Sequence, residues 1–201
     1  GLLPDGDVAP EDDEALPAAS DVDWSLHDAL RTRAYWLLGF AVAFMMFSAG
    51  SINLHQIPHL EQQGLSTTQA AAVVGLFSLV AAGGGLLGGA AATIWGTRRA
   101  LVVSLAGQGA GVLLLISTTG LVGALFYALW YGACFGRSFT LSQVIYADYF
   151  GRRSLGVIRG SFQPVQLAFN AAGPWIAGFW FDRTGSYGSV FALFLVLFIL
   201  A

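Results

Sequence analysis

Long apolar stretches, separated by short polar breaks, dominate the sequence. A helix needs roughly 20 mostly apolar residues to cross a bilayer, and five stretches approach or exceed that length. They run over Ala34–Ile57, Thr68–Trp95, Leu101–Ser117, Leu121–Tyr146 and Phe162–Phe181. A sixth begins near Tyr187 and is still apolar at Ala201. The pattern predicts an all-α membrane protein with six transmembrane helices.

The polar breaks carry residues that start and end helices. The break at Gly64–Thr68 joins a glycine to Ser and Thr, which cap helix N-termini. The breaks at Gly96–Arg99 and Gly151–Ser154 are short basic turns. Ahead of the first stretch, Trp24–Leu30 predicts a short amphipathic helix. That helix either lies on the membrane surface or simply leads into the first spanning helix.

The composition favours lipid rather than water as the solvent of these helices. Hydrophobic residues make up 56% and charged residues 10% of the 201 positions, whereas about 25% of a soluble domain is charged. The mean hydropathy of +0.67 agrees with this. Most acidic residues lie in the segment 1–23, which is poor in the large apolar side chains of a core. We therefore expect a disordered acidic linker over 1–23 and a transmembrane bundle over 24–201.

The sequence contains arginine but no lysine, and the placement of the arginines predicts the orientation of the chain in the membrane. If every segment spans the membrane, one side receives Arg31, Arg33, Arg98, Arg99, Arg152, Arg153 and Arg159. The opposite side receives Arg183. Since basic loops stay in the cytoplasm, the linker and the basic loops are expected to be cytoplasmic. The expected location is the plasma (inner) membrane.

Several classes of function find no support in the sequence. Scattered arginines do not form the basic stripe that a nucleic-acid partner requires. A single cysteine, Cys134, permits no disulfide framework or thiolate metal site, and we expect no metal, cofactor or catalytic residue. Gly136-Arg137-Ser138 looks superficially like the nucleophile motif of an intramembrane protease, but no histidine follows it to act as a base. The protein is therefore not expected to be an enzyme.

Several motifs along the chain resemble those of a known transporter family. Their order and spacing carry the resemblance, which rests on Arg31–Leu38, His55–Leu60, Ala147–Gly156, Gly173–Gly178 and Asp182–Tyr187. Together they resemble the C-terminal six-helix half of the major facilitator superfamily. Within it, they resemble the branch of monocarboxylate transporters and oxalate/formate antiporters. Thr93 and Ile94 depart from the family's loop pattern, because they stand where an Asp and an Arg are usual.

The resemblance implies a secondary transporter that moves a small solute by alternating access. It implies an organic anion such as a monocarboxylate as substrate, carried by antiport or symport. The chain begins with Gly1 rather than Met and is still apolar at its end, so we expect a fragment with a truncated last helix. Its partners would then be the substrate, the lipid bilayer and a missing N-terminal six-helix half. A transporter-like protein for another substrate class, or a sensor that does not transport, stays an open alternative.

Arg137 is the leading candidate for substrate binding. It is an ionisable residue near the middle of the fourth apolar stretch, where a charge is costly and usually functional. Its guanidinium can hold a carboxylate by two parallel hydrogen bonds. The resemblance adds that this helix corresponds to the tenth, which lines the central cavity in the family. The alternative is structural pairing with an acidic group or with backbone carbonyls.

Two polar stripes supply the other candidates. In the first apolar stretch, Ser51 and His55 share a helix face and Asn53 lies close to it; His55 either relays a proton or is an ordinary histidine near the helix end. In the fifth stretch the polar residues recur at helical spacing, namely Gln163, Gln166 and Asn170. These amides either bind substrate or form hydrogen bonds to a neighbouring helix.

Overall fold

The computed structural model describes residues 24–200, and every regular element in that range is an α-helix. The helices are α1 Leu26–Leu30, α2 Arg33–Gln62, α3 Thr67–Trp95, α4 Thr97–Ile116, α5 Gly120–Phe150, α6 Leu155–Thr184 and α7 Tyr187–Leu200. The expected acidic linker, 1–23, lies outside the described residues. The prediction of an all-α chain with six long helices is confirmed.

Several helices extend beyond the apolar stretches that predict them. The helix α2 continues past Pro58 to Gln62, and α6 begins at Leu155, seven positions before the predicted start. Polar residues continue the backbone hydrogen bonding of a helix at its ends, where hydropathy no longer marks it. Two interpretations change as a result. His59 is a buried residue of α2 rather than a residue outside the spans, and Arg159 belongs to α6 rather than to a loop.

Local capping chemistry sets three of the helix boundaries. The hydroxyl of Thr32 accepts a hydrogen bond from the backbone N–H of Tyr35 at the start of α2. Ser66 and Gln69 form a capping box at the start of α3, as the Ser and Thr in that break predict. A single residue, Gly96, separates α3 from α4 with a φ of +77°, which glycine adopts without steric cost.

The helices pack around α5 on one side and α2 on the other. The helix α5 lies against α3 and α4, α2 lies against α6 and α7, and α4 also contacts α7. The contact between α3 and α5 is very close, because a Cβ atom at Gly136 would overlap the carbonyl oxygen of Ala81. On α3, Gly84 faces the backbone of Ala133 in the same way. Small residues thus allow the helix backbones to approach, as expected in a membrane.

The short helix α1 packs on the bundle. Its flanking residue Trp24 meets Phe150 edge to face, with ring centroids 5.8 Å apart. Ala29 is fully buried, while Leu30 remains exposed. These contacts support the interpretation of α1 as a lead-in to α2, and its contact with lipid stays a prediction.

The outer surface of the bundle is suited to lipid. By length and composition, α2, α3 and α4 are three helices that could cross a membrane. The helices α5 and α6 are similarly long, with 31 and 30 residues. Large apolar side chains point outwards along the bundle, as shown by Leu86 at 85% and Trp175 at 71% exposure. Such a surface would be unfavourable in water.

The arginines that were predicted to share one side lie at one end of the bundle. We call it the arginine-rich end (Arg31, Arg33, Arg98, Arg99, Arg152, Arg153 and Arg159). The start of α2, the α3–α4 junction and the α5–α6 junction all lie there, and Arg98 lines a surface groove with Ala34 and Tyr149. The spacing of Asp148 and Arg152 would allow an i, i+4 ion pair on a continuous helix. The two side chains do not pair, because α5 ends at Phe150.

Candidate functional site

A cleft of about 270 Å³ opens between α2, α5 and α6. It exists because α5 makes few contacts with either of the other two helices. The lining residues are Val42 and Met46 from α2, Phe139, Ser142, Gln143 and Tyr146 from α5, and Arg159, Gln163, Gln166, Leu167 and Asn170 from α6. Polar side chains therefore meet in a cleft whose remaining walls are apolar, which is the usual composition of a small-molecule site.

One face of α6 supplies most of the polar lining. Arg159, Gln163, Gln166 and Asn170 are spaced by four, three and four residues, so they share that face. The predicted amide stripe is thus a real feature, and it lines the cleft. Sequence reasoning missed Arg159 because it treated that residue as part of a loop. Its spacing relative to Gln163 is the signal that could have found it.

The amides of the stripe differ in how they are used. The side-chain nitrogen of Asn170 donates to the backbone carbonyl of Met46 at 3.0 Å and so ties α6 to α2. Gln166 donates to the hydroxyl of Tyr146 on α5 at 3.4 Å. Gln163 is exposed to the cleft and has no hydrogen-bond partner among residues 24–200. Helix-to-helix bonding therefore accounts for Asn170 and Gln166 but not for Gln163.

The half-buried Arg159 is the cation of the cleft. Within the described part of the chain no carboxylate pairs with it. An arginine without an acidic partner in a cleft between spanning helices is a costly arrangement and a candidate anion site. The planar guanidinium carries its N–H donors in a fork that matches the two oxygens of a carboxylate.

The α5 wall contributes an unusual polar group. The side-chain oxygen of Gln143 is buried and accepts no hydrogen bond, while its nitrogen donates to Ser142 at 3.3 Å. Most buried polar atoms in proteins have a partner. The orphaned oxygen therefore marks a place where a hydrogen-bond donor belongs.

The predicted residues of α2 lie outside the cleft. The hydroxyl of Ser51 donates to the backbone oxygen of Phe47, and Ser51 is fully buried. The His55 Nε2 atom donates to the carbonyl oxygen of Pro174 on α6 at 3.0 Å. Asn53 is exposed on another face of α2. The structure thus uses Ser51 and His55 at the contact with α6, and their role in substrate binding stays a prediction.

Arg137 lies on the far side of α5 from the cleft. At 3.6 residues per turn, it is turned by roughly 120° to 180° from the cleft-lining residues Phe139, Ser142, Gln143 and Tyr146. Its Nε atom donates to the hydroxyl of Ser104 on α4 at 2.8 Å. It lines a separate groove between α4 and α5. The structure therefore does not bring Arg137 together with the amide stripe.

Two buried polar contacts near the opposite end of the bundle were not predicted. The hydroxyl of Tyr127 donates to the side-chain oxygen of Gln56 at 2.8 Å. The Nε2 atom of His59 donates to the backbone oxygen of Leu115 at 3.1 Å. These bonds join α2 to α5 and α4 and stabilise the packing of the bundle.

Comparison with known proteins identifies the family. The family model described as Major Facilitator Superfamily matches residues 4–174, which is more than half of the chain. No curated protein matches the chain. The match reaches the superfamily and not the branch of monocarboxylate or oxalate/formate transporters. The chain therefore belongs to the Major Facilitator Superfamily of secondary transporters, and it is an integral membrane protein with half of that family's all-α fold.

Proposed function

We propose that this chain forms one half of a secondary transporter for a small organic anion, which binds in the cleft between α2, α5 and α6. The observation that carries the proposal is Arg159, a cation that lines the cleft without a carboxylate partner in the described part of the chain. A bound anion would supply the missing charge.

The chemistry of the cleft supports an organic anion. Arg159 can donate two parallel hydrogen bonds to one carboxylate. Gln163, the exposed amide of the stripe, can contact a further polar group of the solute. The volume of about 270 Å³ suits a small solute such as a monocarboxylate.

The proposed mechanism is alternating access between two six-helix halves. The cleft would face the second half, and the exposed apolar faces of α3 and α6 would pack against it. Coupling would be by symport or antiport. The arginine-rich end would be cytoplasmic in the plasma (inner) membrane, because basic loops stay on that side.

This proposal assigns the carboxylate to Arg159 rather than to Arg137. The reason is geometric, since Arg159 shares the cleft with the amide stripe and Arg137 does not. Ser51, His55 and Asn53 act in this proposal only through the packing and position of α2. A sensor that binds the anion without moving it is the second candidate, because the same cleft would serve it.

Uptake by the full-length protein in liposomes tests the proposal. Labelled mono- and dicarboxylates are offered with and without an imposed pH gradient. We expect uptake by the unmodified protein and a KM raised at least about tenfold in Arg159→Gln, as loss of a charged hydrogen bond predicts. Arg152→Gln is the matched control, because Arg152 is exposed and does not line the cleft.

Each outcome has a defined meaning. If no carboxylate binds or enters, or if Arg159→Gln transports with an unchanged KM, the organic-anion proposal is wrong. Saturable binding of a carboxylate without uptake, lost in Arg159→Gln, would favour the sensor.

A further inference from the structure

A second groove, of about 340 Å³, runs between α4 and α5 on the face of α5 that points away from the cleft. Its walls are formed mainly by four apolar side chains, each about half exposed or more: Val103, Phe126, Leu129 and Trp130. Arg137 lines the same groove. An apolar channel with one cation is thus open on the outer surface of the bundle.

The charge of Arg137 is only partly compensated. Its Nε atom donates to Ser104, and one terminal nitrogen lies 3.6 Å from the sulfur of Cys134, which is a weak acceptor. The other guanidinium N–H groups have no acceptor among residues 24–200, and no carboxylate in that range pairs with the side chain. A charge in this environment requires an anion or water.

The guanidinium is held well inside the bundle. Ser104 lies seven residues after the first residue of α4, which corresponds to about 10 Å along the helix axis. The hydrogen bond to Ser104 keeps the guanidinium at that level instead of letting it reach the helix end. Bulk water therefore does not solvate Arg137 as it solvates the exposed Arg98 and Arg152 at the arginine-rich end.

The shape of the groove favours a narrow apolar chain. The indole N–H of Trp130 donates to the backbone oxygen of Gly107 at 2.8 Å, which holds α4 and α5 together along the groove. A volume of about 340 Å³ cannot hold a helix, which is about 10 Å across with its side chains. From Phe126 to Arg137 the groove extends for roughly 16 Å along α5.

We propose that the α4–α5 groove binds a single-chain fatty acid from the bilayer. Its carboxylate lies on the guanidinium of Arg137, and its acyl chain runs over Trp130 towards Phe126. A carboxyl group can enter an apolar groove protonated and then ionise beside a guanidinium, which a phosphate head group cannot do as easily. This site is independent of the cleft and of the proposed transport function.

Photolabelling of the full-length protein in lipid nanodiscs tests this site. The probe is palmitate with a diazirine in its acyl chain, and the methyl ester of the same probe is the uncharged control. We expect the acid to label α4 and α5 around Val103 and Trp130, with at least about tenfold weaker apparent affinity for the ester. Unlabelled palmitate should compete for the site.

Two variants separate the head group from the chain. Arg137→Gln should lose the preference for the acid over the ester, whereas Arg152→Gln should keep it. Val103→Trp should fill the groove and reduce labelling by both probes, whereas Leu113→Trp, on the same helix but outside the groove, should not. The Val103 variant keeps the test informative if the Arg137 variant fails to fold.

Three results would overturn the proposal. The first is equal labelling by acid and ester in the unmodified protein. The second is unchanged labelling in Val103→Trp. The third is competition by a single-chain phospholipid as strong as that by palmitate, which would assign the groove to any anionic amphiphile rather than to a carboxylate.

Discussion

The side-chain nitrogen of Asn170 donates a hydrogen bond to the backbone oxygen of Met46 at 3.0 Å, and this bond crosses from α6 to α2. Gly50 makes the crossing possible, because a Cβ atom there would lie 2.7 Å from the same Asn170 nitrogen. The innermost amide of the α6 stripe is therefore a packing residue, while Arg159 and Gln163 remain available to a solute.

Gly50→Val should destabilise the bundle by about 1–3 kcal/mol, since overpacking forces the two helices apart. The measurement is reversible unfolding in detergent by increasing fractions of SDS. Gly75→Val is the matched control, because a Cβ atom at Gly75 meets nothing within 4 Å. Equal stability of the two variants would show that the α2–α6 contact adjusts without cost.

Gly136→Ala should be more harmful than an alanine substitution elsewhere on the bundle. The new methyl group would overlap the backbone oxygen of Ala81, which cannot rotate away, so α3 and α5 must separate. We expect a loss of about 1–3 kcal/mol in the same unfolding measurement. Gly89→Ala on α3 should be neutral or slightly stabilising, because its Cβ atom meets nothing within 4 Å. The prediction fails if the two alanine variants unfold alike.

Gln163→Glu should weaken anion uptake by the full-length protein. The new carboxylate would lie one turn from Arg159 on the same face of α6, where an i, i+4 pair can form. It would occupy the guanidinium and repel the substrate, and we expect a KM raised by about tenfold, as a charged contact predicts. Gln163→Leu is the control, because it removes the amide without adding charge. Normal uptake by the Glu variant would show that the anion does not bind near Gln163 and Arg159.

Tyr127→Phe should cost about 1 kcal/mol of stability, since it leaves the buried side-chain oxygen of Gln56 without its donor. Tyr149→Phe is a matched control, because the hydroxyl of Tyr149 makes no hydrogen bond with the described residues. Both variants are compared by unfolding in detergent. A stabilised or unchanged Tyr127 variant would mean that water replaces the lost donor.

Hydropathy predicted the class of the protein and its long helices, because about 20 apolar residues in a row satisfy their backbone polar groups only as a helix in lipid. Periodicity also predicted that Gln163, Gln166 and Asn170 share one face of α6, since the geometry of a helix is local. The match to the Major Facilitator Superfamily confirmed the class of the protein. The three amides line one cleft, as a shared helix face predicts.

Helix boundaries were less predictable, and for this reason Arg159 was assigned to a loop instead of to α6. The start of α6 at Leu155 lies in a polar stretch where hydropathy no longer separates helix from loop. The structure shows that α6 includes Arg159 and that this residue lines the cleft.

The helices, their lipid solvent and the polar residues that share each helix face could be predicted from the sequence. Which face meets which neighbouring helix depends on the packing of the bundle. The sequence correctly places Arg137 inside a long helix. The packing of α5 against α4 then directs its side chain towards Ser104 and away from the cleft. The direction of a face is set by contacts between residues distant in the chain, and periodicity within one helix holds no information about them.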